Sequence, residues 1–99
     1  MLKAAFMFIA PGANPQQHRS VIQTPAVELT VVGVKDYQDA VTAAKELAAS
    51  GIGAIELCGG FGHEGVAKIA AAAGSGVQVG VVRFDTHPGL EGKSGDQLF

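Results

Sequence analysis

The sequence is short of charge, of cysteine, of basic clusters and of long apolar runs, and each shortage closes off a class of function. Charged side chains make up 16% of its 99 residues, against about 25% in an average domain. A folded monomer would have little charge to spread over its surface. Either many of its apolar residues are small, or another subunit covers some apolar surface. The chain has the means for both, because alanine is abundant and valines crowd the candidate strands. Lysine and arginine total seven, the formal net charge is −2, and no basic run occurs. The electrostatic footprint of a nucleic-acid binder is therefore missing. Cys58 stands alone, so no internal disulfide is available and a reducing, cytoplasmic setting is the expectation. No run approaches the roughly 18 apolar residues of a membrane span, so no membrane partner is expected. Lys3 followed by Ala4–Ala10 has the outline of a very short leader, but no A-x-A site follows, and a first strand is the better reading.

What is present alternates between strand and helix signals. "AAFMFIA" (4–10) is an apolar run ended by Pro11-Gly12 and reads as a strand. "NPQQHRSVI" carries helix-start signals: Asn14 to cap, Pro15 at the first position, Gln17 where a capping box puts it. Pro25 keeps that helix short. "AVELTVVGV" (26–34) is rich in β-branched residues and reads as a second strand. Asp36 then caps a long helix over 37–50, with Tyr37, Ala40, Val41, Ala44, Leu47 and Ala48 on one face and Gly51 at its end. A third strand spans 54–58, a helix 64–73 with Val66, Ile69, Ala70 and Ala73 inward, and a fourth strand 77–84. The tail has no period, and its Pro88-Gly89 pair suits a type II turn.

Strand–helix–strand units force parallel pairing and right-handed crossovers. The expectation is a single α/β domain over residues 1–99, with a small four-stranded, mainly parallel sheet and flavodoxin-like or half-barrel-like layering. Two crossovers running the same way put both long helices on one face. Parallel sheets are normally buried on both faces, which leaves the short helix, the tail or a neighbouring subunit to cover the other, and a homo-oligomer is the expectation.

"IELCGGFGHEG" (55–65) is the densest glycine stretch. Gly60, Gly62 and Gly65 have the spacing of a dinucleotide fingerprint, and Asp85 stands 20 residues beyond Gly65, where that fingerprint wants a ribose-binding carboxylate. A strand precedes the loop and a helix follows it, so its amides form a candidate anion site. Against a dinucleotide, only 34 residues follow Gly65, the preceding strand is the third, and Glu64 sits in the helix's first turn to satisfy its dipole. A tight strand-to-helix turn, with glycines for geometry, is the plain alternative.

In open parallel sheets, ligands bind beyond the carboxyl ends of the strands. That rule gathers His18 and Arg19, Lys35 and Asp36, Cys58 and His63, and Arg83, Asp85 and His87 at one edge. Gly59, Gly60, Phe61, Gly62 and Arg83 are the candidate binding residues. Cys58, His63, Asp85 and His87 are the candidate catalytic ones. Each has a plain alternative: a small buried thiol for Cys58, a pair with Asp85 for Arg83, surface positions for the histidines. His63, Asp85 and His87 could serve a metal-dependent hydrolase or isomerase, although no spacing has the strength of H-E-x-x-H. Glu28 and Glu56 lie inside strands and are expected to share a face, solvated at an edge or paired with Lys3 or Arg83.

Together, "AAFMFIAPGANP", "AVELTVVGV", "IELCGGFG" and "VGVVRFDTHPGLEGKSGDQLF" resemble a family of short, uncharacterised bacterial proteins of about this length, known as a domain of unknown function. The resemblance spans nearly the whole chain and implies that the tail is an ordered part of the domain. It brings no activity, cofactor or site residue with it. The functional expectation therefore rests on the residues: a small anionic metabolite bound at the carboxyl edge. The alternative is a non-enzymatic structural or regulatory oligomer.

Overall fold

A computed structural model describes residues 1–99. It contains five strands and two helices: β1 (Leu2–Ile9), β2 (Arg19–Gln23), β3 (Val27–Val34), α1 (Tyr37–Ala49), β4 (Ala54–Leu57), α2 (His63–Ala73) and β5 (Gln78–Val81). Two short 3-10 turns, Pro88–Leu90 and Gly95–Gln97, shape the tail. No helix is long and apolar enough to cross a membrane.

The strands form one sheet in the order β2-β3-β1-β4-β5, parallel except for the β2–β3 pair. The fifth strand corrects the four-strand expectation. Asn14 does cap, accepting hydrogen bonds from Gln16 N at 2.8 Å and Gln17 N at 3.3 Å. The chain makes only one turn there, and Arg19–Gln23 then pairs antiparallel with β3. All five β2 residues are exposed, so no buried face supports a helix. The Pro88-Gly89 pair opens a 3-10 turn in place of the expected type II turn.

Local chemistry accounts for the helix ends. Asp36 Oδ1 accepts from Asp39 N at 2.8 Å, and Asp39 Oδ2 accepts from Lys35 N at 3.1 Å. Gly51 takes the left-handed φ of 95° that follows the end of α1. Both crossovers, β3–α1–β4 and β4–α2–β5, run the same way across the sheet. Right-handedness therefore puts both helices on one face. The layering is one sheet and one helical layer, without the second helical layer of a flavodoxin-like sandwich.

The core lies between those two layers. Met7 and Ile9 of β1, Val32 and Val34 of β3, and Ile55 and Leu57 of β4 meet Ala40, Ala44 and Leu47 of α1 and Ile69 of α2. The other sheet face, built from alternate residues, contributes nothing to this cluster. Glu28 and Glu56 fall on opposite faces, contrary to expectation. In the parallel register Lys3 stands beside Glu28 and Phe6 beside Glu56. Glu28 pairs with Lys3 at 3.9 Å, the chain's one ion pair.

Ile55 is fully buried in the middle of this core. Ile55→Ala removes three carbons from a close-packed site and is expected to cost about 2–5 kcal/mol. Urea denaturation measures it, and a loss under 1 kcal/mol would contradict the assignment of the core.

Candidate functional site

The four parallel strands end at one edge, and the segments leaving β4 and β5 meet there. Cys58–Gly62 joins β4 to α2, and Val82 continues β5 by donating from its N–H to Leu57 O at 2.8 Å. The tail then returns across the start of α2.

The glycines of the loop owe their place to close neighbours, the returning tail among them. None of Gly59, Gly60, Gly62 and Gly65 has a positive φ, so backbone freedom is not what requires them. Close approach is. A Cβ at Gly59 would strike the Phe84 ring, at Gly62 the Asp96 carboxylate, and at Gly65 the Tyr37 ring. At Gly60 it would lie 2.8 Å from Ile9 Cγ2. The loop is a platform on which other parts of the chain rest.

Asp96 is what rests on the helix start. Its Oδ2 accepts from Glu64 N at 3.0 Å, and its Oδ1 accepts from Gly65 N at 3.0 Å and from the Tyr37 hydroxyl at 2.7 Å. The Tyr37 oxygen in turn accepts from Gly62 N at 3.0 Å. A carboxylate from the tail thus occupies the positive end of the α2 dipole. Glu64 does lie in the first turn, as expected, but the carboxylate hydrogen-bonded to the helix amides is that of Asp96, which also takes the Glu64 N–H. Tyr37 is clamped by Phe61, stacked at 5.7 Å between ring centroids, and by Phe99 at 6.3 Å. Ser94 and Gln97 form a capping box that orders the turn carrying Asp96.

The electrostatics follow from this geometry. Burial pushes the Tyr37 pKa up to about 12, helped by its hydrogen bond to Asp96. Desolvation acts to raise the Asp96 carboxyl, but the bonds from Tyr37, Glu64 N and Gly65 N and the charge of His63 outweigh it. The group is held below its ordinary value.

Beside this contact lies a cavity of about 400 Å³ between the glycine loop, the start of α2 and the tail. Gly59, Phe61, Gly62, His63, Arg83, Asp85 and His87 all line it, so seven of the nine residues singled out from the sequence come together. Arg83 has no ion-pair or hydrogen-bond partner within the chain, so the plain alternative of a pair with Asp85 does not form. His87 Nδ1 accepts from Gly89 N at 3.0 Å, which puts the proton of the neutral ring on Nε2. Its ring packs against Phe84 with centroids 4.5 Å apart. Cys58 and Gly60 line a neighbouring, more apolar cavity of about 430 Å³ that shares His87 and Leu90 with the first. Cys58 Sγ accepts from Ile9 N and Gly60 N, each at 3.4 Å.

The loop amides are mostly taken. Gly60 N goes to Cys58 Sγ, Phe61 N to Cys58 O, and Gly62 N to Tyr37. Gly59 N is left over. His18 and Arg19 stand apart beside β3, with Arg19 Nε bonded to Pro15 O. No three of the His, Cys, Asp and Glu side chains, His63, Asp85 and His87 included, cluster so as to hold a metal ion. The sequence reading missed Asp96 and Lys93 and placed Tyr37 only on an apolar helix face. The Ser94-x-x-Gln97 spacing was the available signal that the tail is ordered.

Fold and site together define a two-layer α/β protein with a polar cavity at the carboxyl edge of its sheet, walled on one side by its own tail. The chain belongs to the family described as a family of unknown function (DUF6506), whose model matches residues 2–97. No curated protein and no solved structure matches it.

The depressed Asp96 value has a consequence for stability. The contact contributes fully above the unfolded-state value of 3.8 and is lost as pH falls through the lower folded-state value. Asp96→Ala is expected to cost about 1–2 kcal/mol at neutral pH, the scale of a lost helix cap. Urea titrations should show the gap to wild type narrowing on acidification below 3.8. A gap that is equal at every pH would contradict the contact.

Proposed function

We propose that the protein binds a small anionic metabolite in the carboxyl-edge cavity, with Arg83 as the principal charge partner. The observation that carries this reading is the company around the cavity. Arg83 and Lys93 line it without an ion pair, and His63 and His87 stand beside them. Of the two acids at the wall, Asp96 is engaged by the helix amides, leaving Asp85 free. The volume falls within the usual range of small-ligand sites, about 300–1,000 Å³. A planar guanidinium suits bidentate contact with a carboxylate or phosphate. Gly59 N is the backbone donor that remains from the glycine loop. If the bound molecule is also turned over, His63, Asp85 and His87 would be the groups that move protons, with Nε2 of His87 the free ring nitrogen. Cys58 would act from the adjoining cavity. A single cysteine fits a reducing compartment such as the cytoplasm.

One observation favours a non-enzymatic reading, a structural or regulatory oligomer. The helix N-terminus that would most readily hold an anion is already filled by Asp96. In that reading Arg83 and the exposed tail contact a neighbouring subunit.

Titrating phosphate, pyrophosphate and small di- and tricarboxylates separates the two. Under the ligand reading, at least one raises the melting temperature by mass action. Arg83→Ala then weakens that ligand by roughly tenfold or more while the mass on light scattering stays the same. No thermal or chemical-shift response to any of them sinks the ligand reading. A fall in mass in Arg83→Ala favours the structural one.

A further inference from the structure

The sheet face away from the helices is apolar and bare. In the register of the sheet, Leu2, Phe6 and Phe8 of β1, Leu29 and Val31 of β3, and Ile22 of β2 all project from it. None belongs to the buried core or packs against it, and the helices contact the sheet from the opposite side. Leu2 and Ile22 remain 50% and 52% exposed, so their area is available to a partner. The centre of the face is flat. Gly33 is the neighbour of Phe8, and a Cβ there would lie 2.8 Å from Phe8 Cε2, so the ring lies across bare backbone.

We propose that two copies of this chain associate through this face, sheet against sheet. Parallel strands are stable when covered on both sides, and one helical layer covers one side. The chemistry of the face selects the occupant. Its one charged side chain is Glu56, exposed on β4 beside Phe6, where the apolar patch of β2, β3 and β1 ends, and no lysine or arginine projects from it. A lipid surface or an acidic partner would be met by basic residues, and a basic partner by more than one acid. An apolar centre with a polar rim is instead self-complementary, as a two-fold interface requires. The size comes near what a stable interface needs. With strands about 4.8 Å apart and about 3.3 Å per residue, the face has on the order of 450 Å² of planar area. Two copies bury on the order of 900 Å² before side-chain relief is added, close to the roughly 1,200 Å² at which stable interfaces begin.

Sedimentation velocity across a concentration series tests this. The wild-type chain should sediment at twice its own mass. Val31→Lys and Ile22→Glu should each raise the dissociation constant roughly tenfold or more, with an unchanged far-ultraviolet spectrum showing that the fold persists. A readout without mutation accompanies it: in mixed labelled and unlabelled protein, isotope-filtered spectra should give contacts between the Phe6 ring of one copy and the Leu29 and Val31 methyls of the other. A monomer at the highest soluble concentration overturns the proposal. So does a dimer that survives both folded variants. If a variant fails to fold, the filtered spectra decide alone: contacts across copies support the interface, and their absence overturns it.

Discussion

The Asp96 carboxylate, set against the first amides of α2 and the Tyr37 hydroxyl, is the contact on which the carboxyl edge depends. It joins three segments far apart in the chain: the tail, the start of α1 and the loop after β4. The stretch from Arg83 to Lys93 forms hydrogen bonds only within itself, through His87, Gly89, Leu90 and Lys93. It is tethered at one end by Val82 N to Leu57 O and at the other by Asp96. Since this stretch walls the cavity, the two tethers and the packing of Phe84 on Gly59 hold the cavity's shape. The same contact dictates local sequence, because the glycines below it must lack side chains for the carboxylate and the rings to come close.

This arrangement changes how the glycine loop is understood. A strand, a glycine-rich turn and a helix form an anion site when their amides point at open space. Here they point at the protein's own carboxylate, its own tyrosine and a thiol. The helix dipole is satisfied internally, so selectivity toward any bound anion would come from side chains, Arg83 above all. A guanidinium reading two oxygens discriminates by geometry as well as charge, whereas a helix end offers a field with little shape.

Much of the architecture was legible because it follows from local physics. The β-branched run of β3, the apolar run of β1, the Asp36 cap and the Gly51 stop each act within a few residues. The parallel order of the strands then followed from the helices between them, and with it the gathering of His63, Arg83, Asp85 and His87 at one edge. β2 was not legible. Its residues are all exposed, so they carry no period, and Asn14 and Pro15 give a helix-start signal that the chain uses for a single turn. Glu28 and Glu56 were put on one face because the registers of β3 and β4 against β1 cannot be read from either strand alone. Asp96 was hidden for a related reason. A tail residue that caps a helix 31 positions away leaves no spacing signature, and the loop glycines advertise closeness without saying to what.

The chain's single tyrosine allows a direct test of the central contact. Its ionisation can be followed by ultraviolet absorbance near 295 nm without interference from any other phenol. The buried hydroxyl that donates to Asp96 should ionise at about 12, above the ordinary 10.0. Because the folded-state value is the higher one, the stability it contributes is full below 10.0 and is lost as pH rises toward 12. In Asp96→Asn the midpoint should fall part of the way, since burial still raises it while the hydrogen bond to an ionised acceptor and its negative charge are gone. A wild-type midpoint near 10, or one that Asp96→Asn leaves unmoved, would contradict the account.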